Sequence, residues 1–186
     1  MRRSDIATRI HMLLEAIGEN TEREGLACTP LRVAKAYEHW FSGYGYDGSS
    51  VLKTFEDGSD AYNEMIVVKD IPFYSHCEHH MAPFFGTATI AYIPSKRIVG
   101  LSKLSRLLDI FARRLQVQER LTTQVVGSLQ TELQPLGSAC RIKARHLCME
   151  SRGIEKQGSE TITCALRGVF RDDPATRAEF LGLARS

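Results

Sequence analysis

Residues 84–93 read Phe84-Phe85-Gly86-Thr87-Ala88-Thr89-Ile90-Ala91-Tyr92-Ile93. Thr87, Thr89, Ala91 and Ile93 alternate with Ala88, Ile90 and Tyr92, the period of two that marks a strand. Upstream, Met65-Ile66-Val67-Val68 is apolar and β-branched, and it leads through Ile71-Pro72-Phe73-Tyr74 to Cys77 as a preceding strand. Downstream the period changes. Gly100-Leu101-Ser102 opens a helix to about Arg114, and from about Val117 the residues Leu121, Val125, Leu129 and Leu133 recur every fourth position until Pro135 and Gly137. Strands return at 138–150 and 160–171, and Asp173-Pro174 opens a last helix with an acidic cap.

Towards the N-terminus, Ile6, Ile10, Leu13, Leu14 and Ile17 stand at helical spacing over 4–19, with Ser4 as a cap. Thr29 caps a second helix with Pro30 at its first position, running to about Phe41, and 47–62 reads as a loop with a short helix. Paired strands separated by paired helices predict an α+β domain with an antiparallel sheet. The division expected is a helical arm over 1–62 and a main domain over 63–186.

Composition narrows the partners. The 186 residues carry 24 Lys and Arg against 22 Asp and Glu, a net charge of +2. That is too slight a basic excess to expect nucleic acid as a partner. Asp5, Arg9, His11 and Glu15 interrupt the apolar residues behind Met1-Arg2-Arg3, and no run is long enough for a membrane span. Cys28, Cys77, Cys140, Cys148 and Cys164 are odd in number and irregularly spaced, unlike a secreted disulfide framework. A reducing cytoplasm is the expected compartment, where thiols are available to metal.

Cys77-Glu78-His79-His80 is the densest chemical signal. An offset of three lets one tight turn present a sulfur and an imidazole to a single ion, although such a pair alone is weak evidence. The strand around Cys148 strengthens it. Cys140, Ile142, Ala144, His146 and Cys148 fall on one face, with Arg141, Lys143 and Arg145 on the other. On that strand His146 and Cys148 are neighbours roughly 6.6 Å apart, whereas Cys140 is too far along to share an ion. Cys140, Cys28 and Cys164 read as small core residues. Cys77, His80 and Cys148 as ligands leave a tetrahedral zinc one open position, the pattern of a catalytic site. His79 and His146 remain beside it as candidates for proton transfer. His11 and His39 read as surface or packing residues, and His76 as an exposed loop histidine.

These residues resemble GTP cyclohydrolase I. The matching stretches are Cys77-Glu78-His79-His80, Gly100-Leu101-Ser102-Lys103-Leu104-Ser105-Arg106, Gln116-Val117-Gln118-Glu119-Arg120-Leu121-Thr122, His146-Leu147-Cys148-Met149 with Arg152-Gly153, Thr29-Pro30-Leu31-Arg32-Val33-Ala34-Lys35 and Gly168-Val169-Phe170-Arg171. They follow one another in order over nearly the whole chain. The resemblance implies the tunnelling fold, here a four-stranded antiparallel sheet with paired helices, and a homodecamer of two stacked pentamers with active sites at subunit interfaces. It implies Zn2+-dependent hydrolysis of GTP to 7,8-dihydroneopterin triphosphate and formate, the entry to folate or biopterin synthesis.

By the same resemblance His146 is the general acid/base, His79 assists around purine and ribose, and Ser102 relays protons to the sugar. Glu119 anchors guanine with Gln118 beside it. Lys103, Arg106 and Arg152 receive the triphosphate, with Arg32 and Lys35 as further phosphate contacts. Two rivals stay open. One is an enzyme of the same fold, such as a nitrile reductase acting on a deazaguanine, with Cys77 or Cys148 free as the nucleophile. The other is a non-catalytic zinc module closed by His79 or His146. Whether a feedback regulatory protein docks is also left open.

Overall fold

The computed structural model describes residues 2–55 and 63–185. The chain divides into two compact units, Met1–Ser42 and Gly43–Ser186.

The first unit is helical: α1 (Arg3–Ala16), a single turn α2 (Glu24–Ala27) and α3 (Thr29–Trp40). Arg3 pairs with Glu38 and joins α1 to α3. The two caps expected here are absent. Helix α1 begins one residue before Ser4, with Arg2 at the cap position and no side-chain bond to the helix end. Helix α3 starts at Thr29 itself, because α2 runs almost directly into it through Cys28 in helical conformation; the Thr29 hydroxyl donates back to the Gly25 carbonyl (3.3 Å) instead of capping.

A 3₁₀ turn (Ser42–Gly45) straddles the division, and the second unit continues with β1 (Thr54–Phe55), β2 (Ile66–Cys77), β3 (Pro83–Ile93) and β4 (Ile98–Val99). Then come α4 (Leu101–Ala112), β5 (Leu115–Gln116), α5 (Gln118–Leu133), β6 (Gly137–His146), a helical turn α6 (Leu147–Glu150), β7 (Thr161–Gly168), α7 (Val169–Asp172) and α8 (Pro174–Leu183). The loop expected over 47–62 contains β1, which pairs with β4, and its residues 56–62 lie outside the described residues. The main sheet has the order β5-β2-β3-β6-β7. Strands β2, β3, β6 and β7 form the expected antiparallel four, and β5 adds two residues parallel to the end of β2 (His76 opposite Leu115, Cys77 opposite Gln116).

The two periods read in the sequence meet in the core. Ala88, Ile90 and Tyr92 of β3, with Cys140, Ile142 and Ala144 of β6, form one sheet face. Leu104, Leu107, Leu108 and Phe111 of α4 and Leu121, Val125, Leu129 and Leu133 of α5 pack on it. On the opposite face, Phe170 and Phe180 of α7 and α8 pack on Ala91 and Ala139. Asp173 caps α8 as expected, its carboxylate accepting from Thr176 N–H (2.7 Å).

Three strand readings need correction. Strand β6 stops at His146 instead of continuing to 150, because its ladder with β3 ends at the Phe84–His146 pair and its ladder with β7 ends at Ala144–Thr161. Without a pairing partner the chain turns into α6. Strand β7 likewise stops at Gly168, whose φ of +56° breaks the strand before α7. His76 is not on an exposed loop; it is buried in β2 beside β5, and burial pushes its imidazole below the ordinary range. Cys28 and Cys164 are exposed, contrary to the core reading, whereas Cys140 is buried. Cys164 stands opposite Arg141 on the face that α4 and α5 do not cover.

Candidate metal centre

The Cys77–His80 turn is the connection between β2 and β3. Cys77 N–H donates to Ala82 O (2.8 Å), Met81 N–H donates to Cys77 O (2.8 Å), and His80 N–H also reaches Cys77 O (3.3 Å). This tight closure folds His80 back over the strand end, so that its Nδ1 lies 3.8 Å from Cys77 Sγ. Glu78 N–H donates to Gln116 O (2.9 Å), which ties the turn to β5.

Cys148 arrives from the other side of the sheet end. It sits on α6, so its proximity to the turn comes from the chain bending after His146 and not from strand alternation. Side-chain ligand atoms of Cys77, His80 and Cys148 all lie within 4.8 Å of one another. Burial, and then the neighbouring Cys77 sulfur, raise the Cys148 thiol above its ordinary range. Tetrahedral zinc, with bonds of about 2.3 Å to sulfur and 2.0–2.1 Å to nitrogen, sets its ligand atoms roughly 3.5–3.8 Å apart. With Cys77 Sγ and His80 Nδ1 3.8 Å apart and no pair beyond 4.8 Å, two sulfurs and one imidazole nitrogen are close enough to converge on a divalent ion of borderline softness.

The side chains around the cluster fix its shape. Glu78 pairs with Arg120 of α5, whose Nε donates to Gln116 Oε1 (3.1 Å). Gln116 Nε2 in turn donates to Phe111 O (2.9 Å) and Gln124 Oε1 (2.8 Å). The hydrogen bond from Arg120 holds the Glu78 carboxyl below its ordinary range. On the other side Glu150, 6% exposed, takes both arms of Arg145, and this fork closes α6 back onto the end of β6. Neither pair was legible in the sequence, because Glu78 and Arg120 are 42 residues apart and Arg145 reads as a solvent-facing strand residue.

His146 is the last residue of β6 and stands opposite Phe84, so the two rings stack in parallel with centroids 4.6 Å apart. Its Nε2 is 2.8 Å from Gln118 Oε1. Burial lowers the His146 pKa, and the nearby charges of Glu119 and Glu150 oppose that shift. His79 is exposed, with Nδ1 3.9 Å from Cys77 Sγ. Arg152 follows α6 and brings Nη1 to 3.5 Å from His80 Nε2.

The other expected site residues are placed more loosely. Ser102 and Lys103 lie in the first turn of α4, Ser102 exposed and Lys103 half-buried. Arg106, one turn later, is exposed and lines a cavity of about 180 Å³ with Tyr46, Val51, Asp109, Ile110 and Arg113. Glu119 is exposed in the first turn of α5. Gln118, beside it, is only 1% exposed and its amide is engaged within the chain. Arg32 and Lys35 are exposed on α3 of the N-terminal unit.

A metal cluster alone would leave the family open. The family model described as GTP cyclohydrolase I matches residues 6–185. The chain belongs to the GTP cyclohydrolase I family. The GTP cyclohydrolase 1 of Janthinobacterium sp. (strain Marseille) is 60% identical over 93% of this chain and 87% of that protein. The GTP cyclohydrolase 1 of Nitrosospira multiformis is 56% identical over 94% and 91%. That of Thermoanaerobacter pseudethanolicus is 51% identical over 97% and 96%. Among solved structures, the crystal structure of the archaeosine synthase QueF-Like in the apo form aligns with 56% of this chain and 93% of that chain, at 14% identity and a TM-score of 0.43. Among the described residues of this family member, no helix is long and apolar enough to cross a membrane.

Proposed function

We propose that this chain is a zinc-dependent GTP cyclohydrolase I that converts GTP and water to 7,8-dihydroneopterin triphosphate and formate, the first step of tetrahydrofolate or tetrahydrobiopterin biosynthesis. The observation that carries the proposal is the convergence of Cys77, His80 and Cys148, from two distant segments, in a chain of this family. Cys77, His80 and Cys148 would hold zinc, which when bound would lower the pKa of water to about 7 and so supply a nucleophile at neutral pH.

The protein's own residues do the rest. His146, the last residue of β6, moves protons as the imidazole ring of guanine opens at C8 and formate departs. His79, exposed on the ligand turn, serves the purine and ribose. Ser102 relays protons to the sugar during its Amadori rearrangement, before the new ring closes. Lys103, Arg106 and Arg152 neutralise the triphosphate, and the start of α4 adds the pull of a helix N-terminus on an anion. Arg32 and Lys35 supply further phosphate contacts. The working enzyme is a cytoplasmic homodecamer of two pentamers, with the surroundings of each substrate completed across subunit interfaces.

Glu119 anchors guanine. N1–H and the 2-amino group are adjacent donors, and one carboxylate accepts from both, whereas adenine offers neither donor in that arrangement. Arg120 pairs with Glu78 and the Thr123 hydroxyl donates to the Glu119 backbone carbonyl, so both are directed away from this carboxylate. Charge-assisted hydrogen bonds contribute about 1.5–3 kcal/mol, so Glu119→Gln should weaken GTP binding by roughly 10–100-fold. Zinc content should be unchanged. Inosine triphosphate lacks the 2-amino group, so it should bind wild type less tightly than GTP and lose less on the substitution. Competition binding of both nucleotides to both proteins is the check. Equal losses would mean that Glu119 does not read the 2-amino group, and no loss would return it to a solvated helix position.

A further inference from the structure

Gln118 opens α5, and its side chain enters the core beneath β6 and β7. Its Nε2 lies 3.2 Å from Ile142 O, 3.0 Å from Thr161 O and 3.1 Å from Thr163 Oγ1. The neighbouring hydroxyls fix the direction of this network. Thr122 donates to Gln118 O (2.7 Å). Its one proton is thereby used, so Thr163, 2.6 Å away, donates to Thr122 and turns a lone pair towards Gln118 Nε2.

Two of the three partners of Nε2 are backbone carbonyls, which only accept. Flipping the carboxamide would set its oxygen against both, burying three acceptors together with no proton between them. Only one orientation survives: Nε2 towards β6 and β7, Oε1 towards His146. An amide oxygen cannot donate, so the bond of 2.8 Å to His146 Nε2 must carry its proton on the imidazole.

We infer that Gln118 is a positioning residue that holds His146 as the Nε2–H tautomer, so that proton exchange with the substrate takes place at Nδ1. The Phe84 ring fixes the plane of the imidazole and Gln118 fixes which edge is which. This assigns Gln118 a role behind the general acid/base instead of a place against the guanine base, where the family resemblance puts it. It rests on the proposed function only for the identity of the proton acceptor; the tautomer stands on the hydrogen bonds alone.

The test uses the intact wild-type enzyme and three variants. Solid-state 15N spectra of histidine-labelled protein, with the His146 signals identified by their loss in His146→Ala, should show a pyrrole-type Nε2 and a pyridine-type Nδ1 for neutral His146. Gln118→Met keeps the bulk and removes the acceptor. It should retain zinc, lose the tautomer preference and lower kcat by about 10–100-fold, less than the roughly 10²–10⁴-fold that losing the whole acid/base costs, with KM for GTP changed by less than about twofold. Gln118→Glu, protonated between the two carbonyls, donates to one of them and still offers an oxygen to His146, so it should recover most of the lost kcat.

A pyridine-type Nε2 in the wild type would overturn the inference without reference to activity. So would a Gln118→Met enzyme whose KM rises while kcat holds, because that is the behaviour of a residue that reads the base. If wild type released no formate from GTP, the proposed function would fail while the spectrum still decided the tautomer.

Discussion

Cys148→Ala is expected to abolish zinc binding and GTP turnover while leaving the fold in place. The residue contributes one of three ligand atoms, and its removal leaves Cys77 and His80 on a single turn, a pair too weak to hold the ion. Turnover should fall by more than the roughly 10²–10⁴ that a missing proton donor costs, because the nucleophile itself is lost. The fold should survive because Cys148 is half-buried at the sheet's end, while the core that α4 and α5 build on the sheet lies in the interior. A domain of this size does not need a metal staple. Bound zinc stabilises the native state by linkage, so the fair reference is wild type stripped by a chelator. Against that reference, far-UV circular dichroism and assembly should be unchanged, and the melting temperature should differ by only about 2–4 °C, the equivalent of roughly 1 kcal/mol. A variant without zinc that turned over GTP at the normal rate would remove the metal from the chemistry.

His146→Ala should have the second largest effect and the opposite metal signature. About one zinc per chain should remain, because Cys77, His80 and Cys148 are untouched. GTP should still bind, and turnover should fall by roughly 10²–10⁴, the range for a lost general acid/base. The side chain removed is stacked on Phe84 and bonded to Gln118, so some local repacking is expected at the end of β6. Zinc content by elemental analysis, nucleotide binding and single-turnover formate release together separate the roles. Loss of zinc would make His146 a ligand and the centre a closed, structural one.

Much of this was legible in the sequence wherever one local period dominated. The Ala88-Ile90-Tyr92 alternation and the 121-125-129-133 stripe are local patterns, and every residue in them is buried against the same core. Strand ends were not legible, because they depend on where a partner stops. The sequence around 146–150 is compatible with extended chain, and only the end of the pairing with β3 makes it turn and swing Cys148 towards Cys77. The burial of His76 depends on a two-residue parallel pairing with Leu115 and Gln116, about forty positions away, which leaves no periodic trace. Gln118 had an unused signal. It stands four before Thr122 and seven before Val125, on the buried stripe of α5, where a polar residue must find internal partners.

Zinc-dependent GTP hydrolysis is tested by the formate released per GTP consumed by the purified protein, before and after chelation. One formate is expected for each GTP, with a pterin triphosphate as the other product, no release after zinc is stripped, and recovery when Zn2+ is restored. Consumption of GTP without formate, or formate release that persists in zinc-free protein, would contradict this expectation.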